Sequence, residues 1–141
     1  MTWQEFEQRF SIQLNEQQKQ AVQTVEGPVL LLAVPGSGKT TVLVTRLGYM
    51  IHCKGIDPKR ILTVTYTVAA TKDMAARFAA KFGPKLAEQL EFRTINGILD
   101  HRDLTLCLFI QSLDLVLTKH HIFNVGNQRA DIFQISVCGI Y

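Results

Sequence analysis

The segment VLLLAVPGSGKTTVLVTRL, Val29 to Leu47, constrains the fold more than any other part of the chain. Its first five residues are uniformly apolar and lie between turn residues, Gly27-Pro28 before and Pro35-Gly36 after. Such a run suits a strand buried on both faces of a parallel sheet, where crossover helices cover each side. Beyond the loop the period changes. Val42, Leu43, Arg46, Leu47 and Met50 recur at helical spacing and predict a helix to about Cys53. A strand, a glycine-rich loop and a helix in that order converge backbone amides and a positive helix end on one point, which favours a phosphate.

The loop itself reads AVPGSGKT, Ala33 to Thr40. Gly36 and Gly38 let the backbone curl so that successive N–H groups face inward, with Pro35 and Ser37 completing the turn. Lys39 is placed to reach the β- and γ-phosphates as a point charge, and the Thr40 hydroxyl to ligate Mg²⁺. Ala33 stands where the strict phosphate-loop pattern has Gly; a small residue suffices there unless φ is positive. Val34 narrows the backbone freedom of the loop more than Ala33 does, because it is β-branched. The bland alternative is a Gly-Pro turn followed by a lysine-started helix without a ligand.

Other parts of the chain set the frame for that loop. Trp3, Phe6 and Phe10 recur at helical spacing in a polar stretch, predicting a short amphipathic helix. LNEQQKQAVQTV restarts a helix with Asn15 as N-cap. KGIDPK reads as a turn, ILTVT (61–65) as a second buried strand, and AATKDMAARFAAKF as a second long helix closed near Gly83-Pro84. PKLAEQLE adds a helical turn or two, and EFRTI a third short strand. Residues 28–95 therefore read β-α-β-α-β, which predicts one parallel sheet with a ligand site at the carboxyl ends of its strands.

The 141 residues are 47% hydrophobic and 19% charged, the balance of a folded chain rather than a disordered one. A net charge of +3 permits a polyanionic partner without demanding one. Cys53, Cys107 and Cys138 form no CxxC pair, and an odd count favours a reducing, cytoplasmic setting. The charged N-terminus is unlike a signal peptide, and no apolar run approaches the ~20 residues that span a bilayer, so no membrane association is expected.

LNEQQKQAV, the loop, then ILTVTYTVAATKDMAARF and FRTING occur in an order and spacing that resemble the UvrD/Rep/PcrA family of superfamily 1 DNA helicases. The resemblance runs from Leu14 to about Ile98. It implies a RecA-like P-loop NTPase fold, use of ATP with Mg²⁺, and 3′-to-5′ translocation on single-stranded DNA in the intact family. By resemblance, Gln18 matches the glutamine that reads adenine; it also forms an N-cap/N3 capping-box pair with Asn15. Thr41 occupies a position that is often arginine near the base, and Arg46 reads instead as a helix residue reaching the sheet edge. Tyr66, followed by Thr67, aligns with the aromatic that stacks on a DNA base; the alternative is that it packs under its own helix. Val68 and Ala69 replace the Asn-Lys common in the family, which removes polar contacts. Thr94 and Asn96 sit where the family has Thr-Phe-His facing the DNA backbone.

Residues 1–98 are thus expected to be the N-terminal part of a RecA-like ATP-binding domain, and 99–141 a divergent tail of uncertain structure. After Ile98 no apolar strand ends in two carboxylates: LDLVLT and RADIF each offer a single Asp. Without a Walker B pair and the arginine finger of a second motor domain, negligible hydrolysis by this chain alone is expected. The break after TINGI suggests a truncated or frame-shifted reading frame. The tail reads ambiguously between strand and helix around Leu104–Leu117. His101, His120, His121 and Cys107 lack metal-ligand spacing. Asp100-His101-Arg102-Asp103 reads as a solvated turn, and Lys72, Arg77 and Lys81 as an exposed helix face or a weak phosphate track. A non-catalytic nucleotide- or DNA-binding module and a non-functional remnant remain the alternatives.

Overall fold

The computed structural model describes residues 1–26, 29–33, 36–94, 97, 122–125 and 137–140. The first helix, α1 (Trp3–Arg9), begins at a reciprocal cap: the Glu5 amide donates to the Thr2 hydroxyl, and the Thr2 amide donates to the Glu5 carboxylate. The second, α2 (Glu16–Gln23), begins the same way at Asn15 and Gln18, so the expected cap is present. Strand β1 (Leu30–Ala33) leads into the loop and then α3 (Lys39–His52). A 3₁₀ turn at Pro58–Arg60, capped by the Asp57 carboxylate on the Lys59 amide, precedes β2 (Ile61–Thr65). Helix α4 (Val68–Phe82) stops at Gly83, whose φ of +101° a residue with a side chain rarely adopts. The short α5 (Pro84–Ala87) leads to β3 (Glu91–Thr94).

Strand pairing departs from the single parallel sheet expected for residues 28–95. β2 and β3 are parallel neighbours, with Leu62 opposite Glu91 and Thr65 opposite Thr94. β1 pairs instead with β4 (Ile122–Val125), parallel, in a separate two-stranded sheet. β5 (Val137–Ile140) closes the other edge of β2 antiparallel, so the second sheet runs β3-β2-β5. A β-α-β order dictates parallel direction and a helical crossover, but not adjacency, and here the crossover through α3 links strands of two different sheets. The result is a mixed helix and strand architecture compatible with an incomplete α/β fold. Two segments of the 99–141 tail are strands; the ambiguous stretch Leu104–Leu117 lies outside the described residues.

The core has two clusters on opposite sides of α3. In one, Val44, Leu47 and Met50 of α3 meet Ile61 of β2, Met74 and Phe78 of α4, and Leu90. In the other, Val42 and Tyr49 meet Phe6, Ile12, Ala21 and Val22 from the N-terminal helices. Phe82 touches both. It sits on Gly48, where an added Cβ would lie 2.2 Å from the ring, so a glycine is what lets α4 close onto α3. Phe82 stacks on Phe6 and meets Phe10 and Phe78 with centroids 4.8 and 4.9 Å away.

His52 lies in the same aromatic group, 4.9 Å from Phe10 and 5.8 Å from Phe82, with Nε2 buried and unpartnered among the described residues. Burial first, then the positive charges of Arg9 and the N-terminus, hold its pKa below the usual 6.5. On acidification the unfolded chain therefore takes up the proton before the folded one. Stability is insensitive to this group above pH 6.5 and falls as pH drops from 6.5 through the depressed folded value. Urea titrations from pH 7.5 to 5 should show that loss in the native chain, and a smaller loss in His52→Phe.

Candidate functional site

The glycine-rich loop is built around two left-handed residues, Gly36 at φ +80° and Gly38 at φ +82°. Other residues pay strain in that region, so the loop's curl depends on those two glycines. Gly38 is also the N-cap of α3 and, being glycine, brings no side-chain oxygen of its own to the helix start. The positive end of α3 is therefore directed at the loop. Lys39 and Thr40 open that helix, half-buried, and Thr41 is exposed. A Cβ at Gly36 would meet nothing within 4 Å, so the loop is open on that side. These features fit a phosphate-bearing ligand. Ala33 ends β1, while Pro35 lies outside the described residues.

Gln18 reaches this loop from α2. Its Nε2 donates to the Ser37 carbonyl at 3.0 Å, while Oε1 accepts from the Asn15 amide at 3.0 Å. The capping box with Asn15, one of the two sequence readings of Gln18, is present, and the same side chain also touches the loop. These two bonds use one of its two N–H groups and one of its two carbonyl lone pairs.

Arg46 is buried to 8% exposure, and its guanidinium donates to the Ala21 carbonyl at 2.6 Å and to the Thr24 carbonyl. Helix α2 carries no basic residue in its last turn, so Arg46 supplies from α3 the charge that its negative end attracts. The helix is thereby held at both ends, by Gln18 on the loop and by Arg46 on α3. Only the single Arg in an otherwise apolar helix face hinted at this in the sequence.

Tyr66 follows β2 and is 75% exposed, which excludes packing under α4. The threonines around it fix the turn. The Thr65 and Thr71 hydroxyls both donate to the Thr67 carbonyl, at 3.1 and 3.0 Å, and the Thr67 hydroxyl accepts from the Ala70 amide as the N-cap of α4. Val68 beside it is 61% exposed. Next to this turn an open groove is lined by Val68, Thr71 and Lys72 of α4 and by Phe92, Arg93, Thr94 and Gly97. The Thr94 hydroxyl accepts from the Gly97 amide at 3.1 Å, and Arg93 pairs with Glu91. Asn96 lies outside the described residues. The structure thus brings Thr94 and Lys72 into one groove, near the Tyr66 turn. Arg93 and Phe92 were missed from sequence; an Arg inside a four-residue strand was the available signal. Arg77 on the same helix is engaged with Asp73 at 2.8 Å.

Among the described residues no group of histidines, cysteines and carboxylates can hold a metal, and no helix is long and apolar enough to cross a membrane.

The strand, glycine-rich loop and helix, followed by a second strand and an exposed aromatic, are shared ground with a known family. The chain belongs to the UvrD/REP helicase N-terminal domain family, whose profile matches residues 14–127 and so runs past Ile98 into β4. It is 38% identical over 85 residues to the ATP-dependent DNA helicase PcrA of Leuconostoc citreum, covering 60% of this chain and 11% of that protein. It is 47% identical over 73 residues to the putative ATP-dependent DNA helicase YjcD of Bacillus subtilis, covering 52% and 10%, and 44% identical over 71 residues to PcrA of the same organism, covering 50% and 10%. The chain spans about a tenth of the length of these relatives.

Proposed function

We propose that this chain is the ATP-binding N-terminal portion of a UvrD-like DNA helicase, with a RecA-like P-loop architecture. The observation that carries the reading is the loop: two left-handed glycines between a strand and a helix, the second of them the helix N-cap. In this reading the loop amides and Lys39 bind the triphosphate of ATP, and the Thr40 hydroxyl holds Mg²⁺, which neutralises charge on the phosphates. Gln18 contacts the adenine with its remaining donor and acceptor. Thr41 faces solvent near the base without the charge an arginine would bring.

Tyr66 offers its ring to a base of single-stranded DNA, a contact that contributes ~1–3 kcal/mol without sequence preference. Thr67, Thr94 and the Lys72 ammonium line the path of the backbone, and Asn96 is assigned to the same contact by its resemblance to the family alone. The 3′-to-5′ translocation and the cytoplasmic setting follow from the family and are part of the same proposal. So is the division at Ile98 into a nucleotide-binding part and a tail, and the binding of nucleotide without turnover within these 141 residues.

A thermal melt with and without MgATP tests the reading. Binding to the folded state alone raises stability by RT ln(1 + [L]/Kd), ~2.7 kcal/mol at a hundredfold excess over Kd. For a chain of this size that corresponds to a rise of roughly 9 °C. An unshifted melt at millimolar MgATP would overturn the proposal. Steady-state turnover abolished by Lys39→Ala would overturn only the claim of binding without hydrolysis.

A further inference from the structure

Gln18 does something for the loop that an adenine contact does not require. Its Nε2 donates to the carbonyl of Ser37, a residue between the two left-handed glycines, at 3.0 Å. In a trans peptide the carbonyl of one residue and the N–H of the next point to opposite sides. Holding the Ser37 carbonyl toward α2 therefore turns the Gly38 N–H away from α2. Gly38 sits against the same side chain: a Cβ there would lie 3.5 Å from Gln18 Nε2. The glycines on either side of Ser37 give this stretch wide backbone freedom, which a side-chain bond to its carbonyl narrows. Gln18 is well placed to make that bond, because its Oε1 is anchored by the Asn15 amide and its own amide by the Asn15 side chain at 2.8 Å. Arg46 fixes the far end of the same helix.

We infer that Gln18 is a positioning residue for the phosphate site: it sets the Ser37–Gly38 peptide so that the Gly38 N–H serves the anion, whatever base the anion carries. The inference rests on the phosphate-loop reading and deepens it. The bond from the Asn15 backbone amide to Gln18 Oε1, which does not need the Asn15 side chain, is then what aims this α2 side chain at a loop 19 residues away.

Inorganic tripolyphosphate separates this role from base recognition, since it has no base. Its affinity and that of ATP are measured by calorimetry for the native chain, Gln18→Ala and Asn15→Ala. Gln18→Ala should weaken tripolyphosphate and ATP by similar factors, roughly three- to tenfold for one lost neutral hydrogen bond. Asn15→Ala removes one arm of the cap but leaves Gln18 its donor; it should lower the melting temperature with little change in tripolyphosphate affinity. Unchanged tripolyphosphate affinity in Gln18→Ala, with ATP alone weakened, would leave Gln18 as a base contact and overturn the inference. Equal weakening in Asn15→Ala would overturn it too, by assigning the effect to helix integrity. Failure of the native chain to bind tripolyphosphate or ATP would instead remove the phosphate-loop reading itself.

Discussion

Replacing Lys39 with alanine should remove most of the stabilisation that MgATP gives. Lys39 is the first residue of α3, half-buried, directly after the left-handed Gly38. A charged hydrogen bond to a phosphate oxygen contributes ~1.5–3 kcal/mol, a weakening of roughly 10- to 100-fold when it is lost. At a concentration that saturates the native site a hundredfold, the residual stabilisation drops from ~2.7 to about 0.4–1.4 kcal/mol. The fold itself should survive, because alanine is the best helix former and α3 is held by Val42, Leu47 and Met50 further along. The melt without nucleotide should therefore stay close to that of the native chain. Lys72→Ala, a change at an exposed lysine of α4, should leave the MgATP shift intact. A Lys39→Ala melt that still rises by the native amount would move the phosphate away from this loop.

The largest stability effect is expected at Phe78. It is fully buried, on the face of α4 that it shares with Met74 and that meets Ile61, with ring neighbours Phe82 at 4.9 Å and Phe92 at 6.4 Å. Truncation to alanine removes the ring and leaves a cavity between a helix and a strand that are each held by other contacts. The site cannot collapse freely, because Phe82 is already wedged on Gly48. A cost of ~3–5 kcal/mol follows, a large part of the ~5–15 kcal/mol that domains possess. Urea unfolding should show the midpoint falling with little change in slope. Phe78→Leu, which keeps most of the volume, should recover much of the loss. The variant bears on function as well, since α4 carries the Tyr66 turn at its N-terminus and Lys72 on the groove.

Local structure was largely legible in the sequence. Helical spacing located α1, α3 and α4 to within a residue or two, Asn15 was readable as a cap, and apolar runs between turn residues located β1 and β2. Each of these depends on neighbours a few residues away. The pairing of strands was not legible, because it depends on contacts between segments far apart in the chain. The apolar face of VLLLA does not specify whether its neighbour is ILTVT or a strand from the tail. The bonds of Arg46 to α2 were hidden for the same reason: nothing local tells that carbonyls at the end of another helix accept from it. At the site, glycine spacing made the loop readable, while the doubled role of Gln18 depended on where α2 docks.

The pairings of β1 with β4 and of β2 with β5 set a timetable for synthesis. Leu30 waits for Ile122, and Ile61 for Ile140. At ~5–20 residues per second, the about ninety residues between the first pair take on the order of 5 to 20 seconds to emerge. During that interval β1 has no described partner strand, and β2 has one open edge. Apolar strands in that condition are templates for pairing with other chains. The glycine-rich loop hangs from the end of β1, so it too waits for its supporting strand. The nascent N-terminal half therefore presents β1 without its described neighbour until residue 122 has emerged.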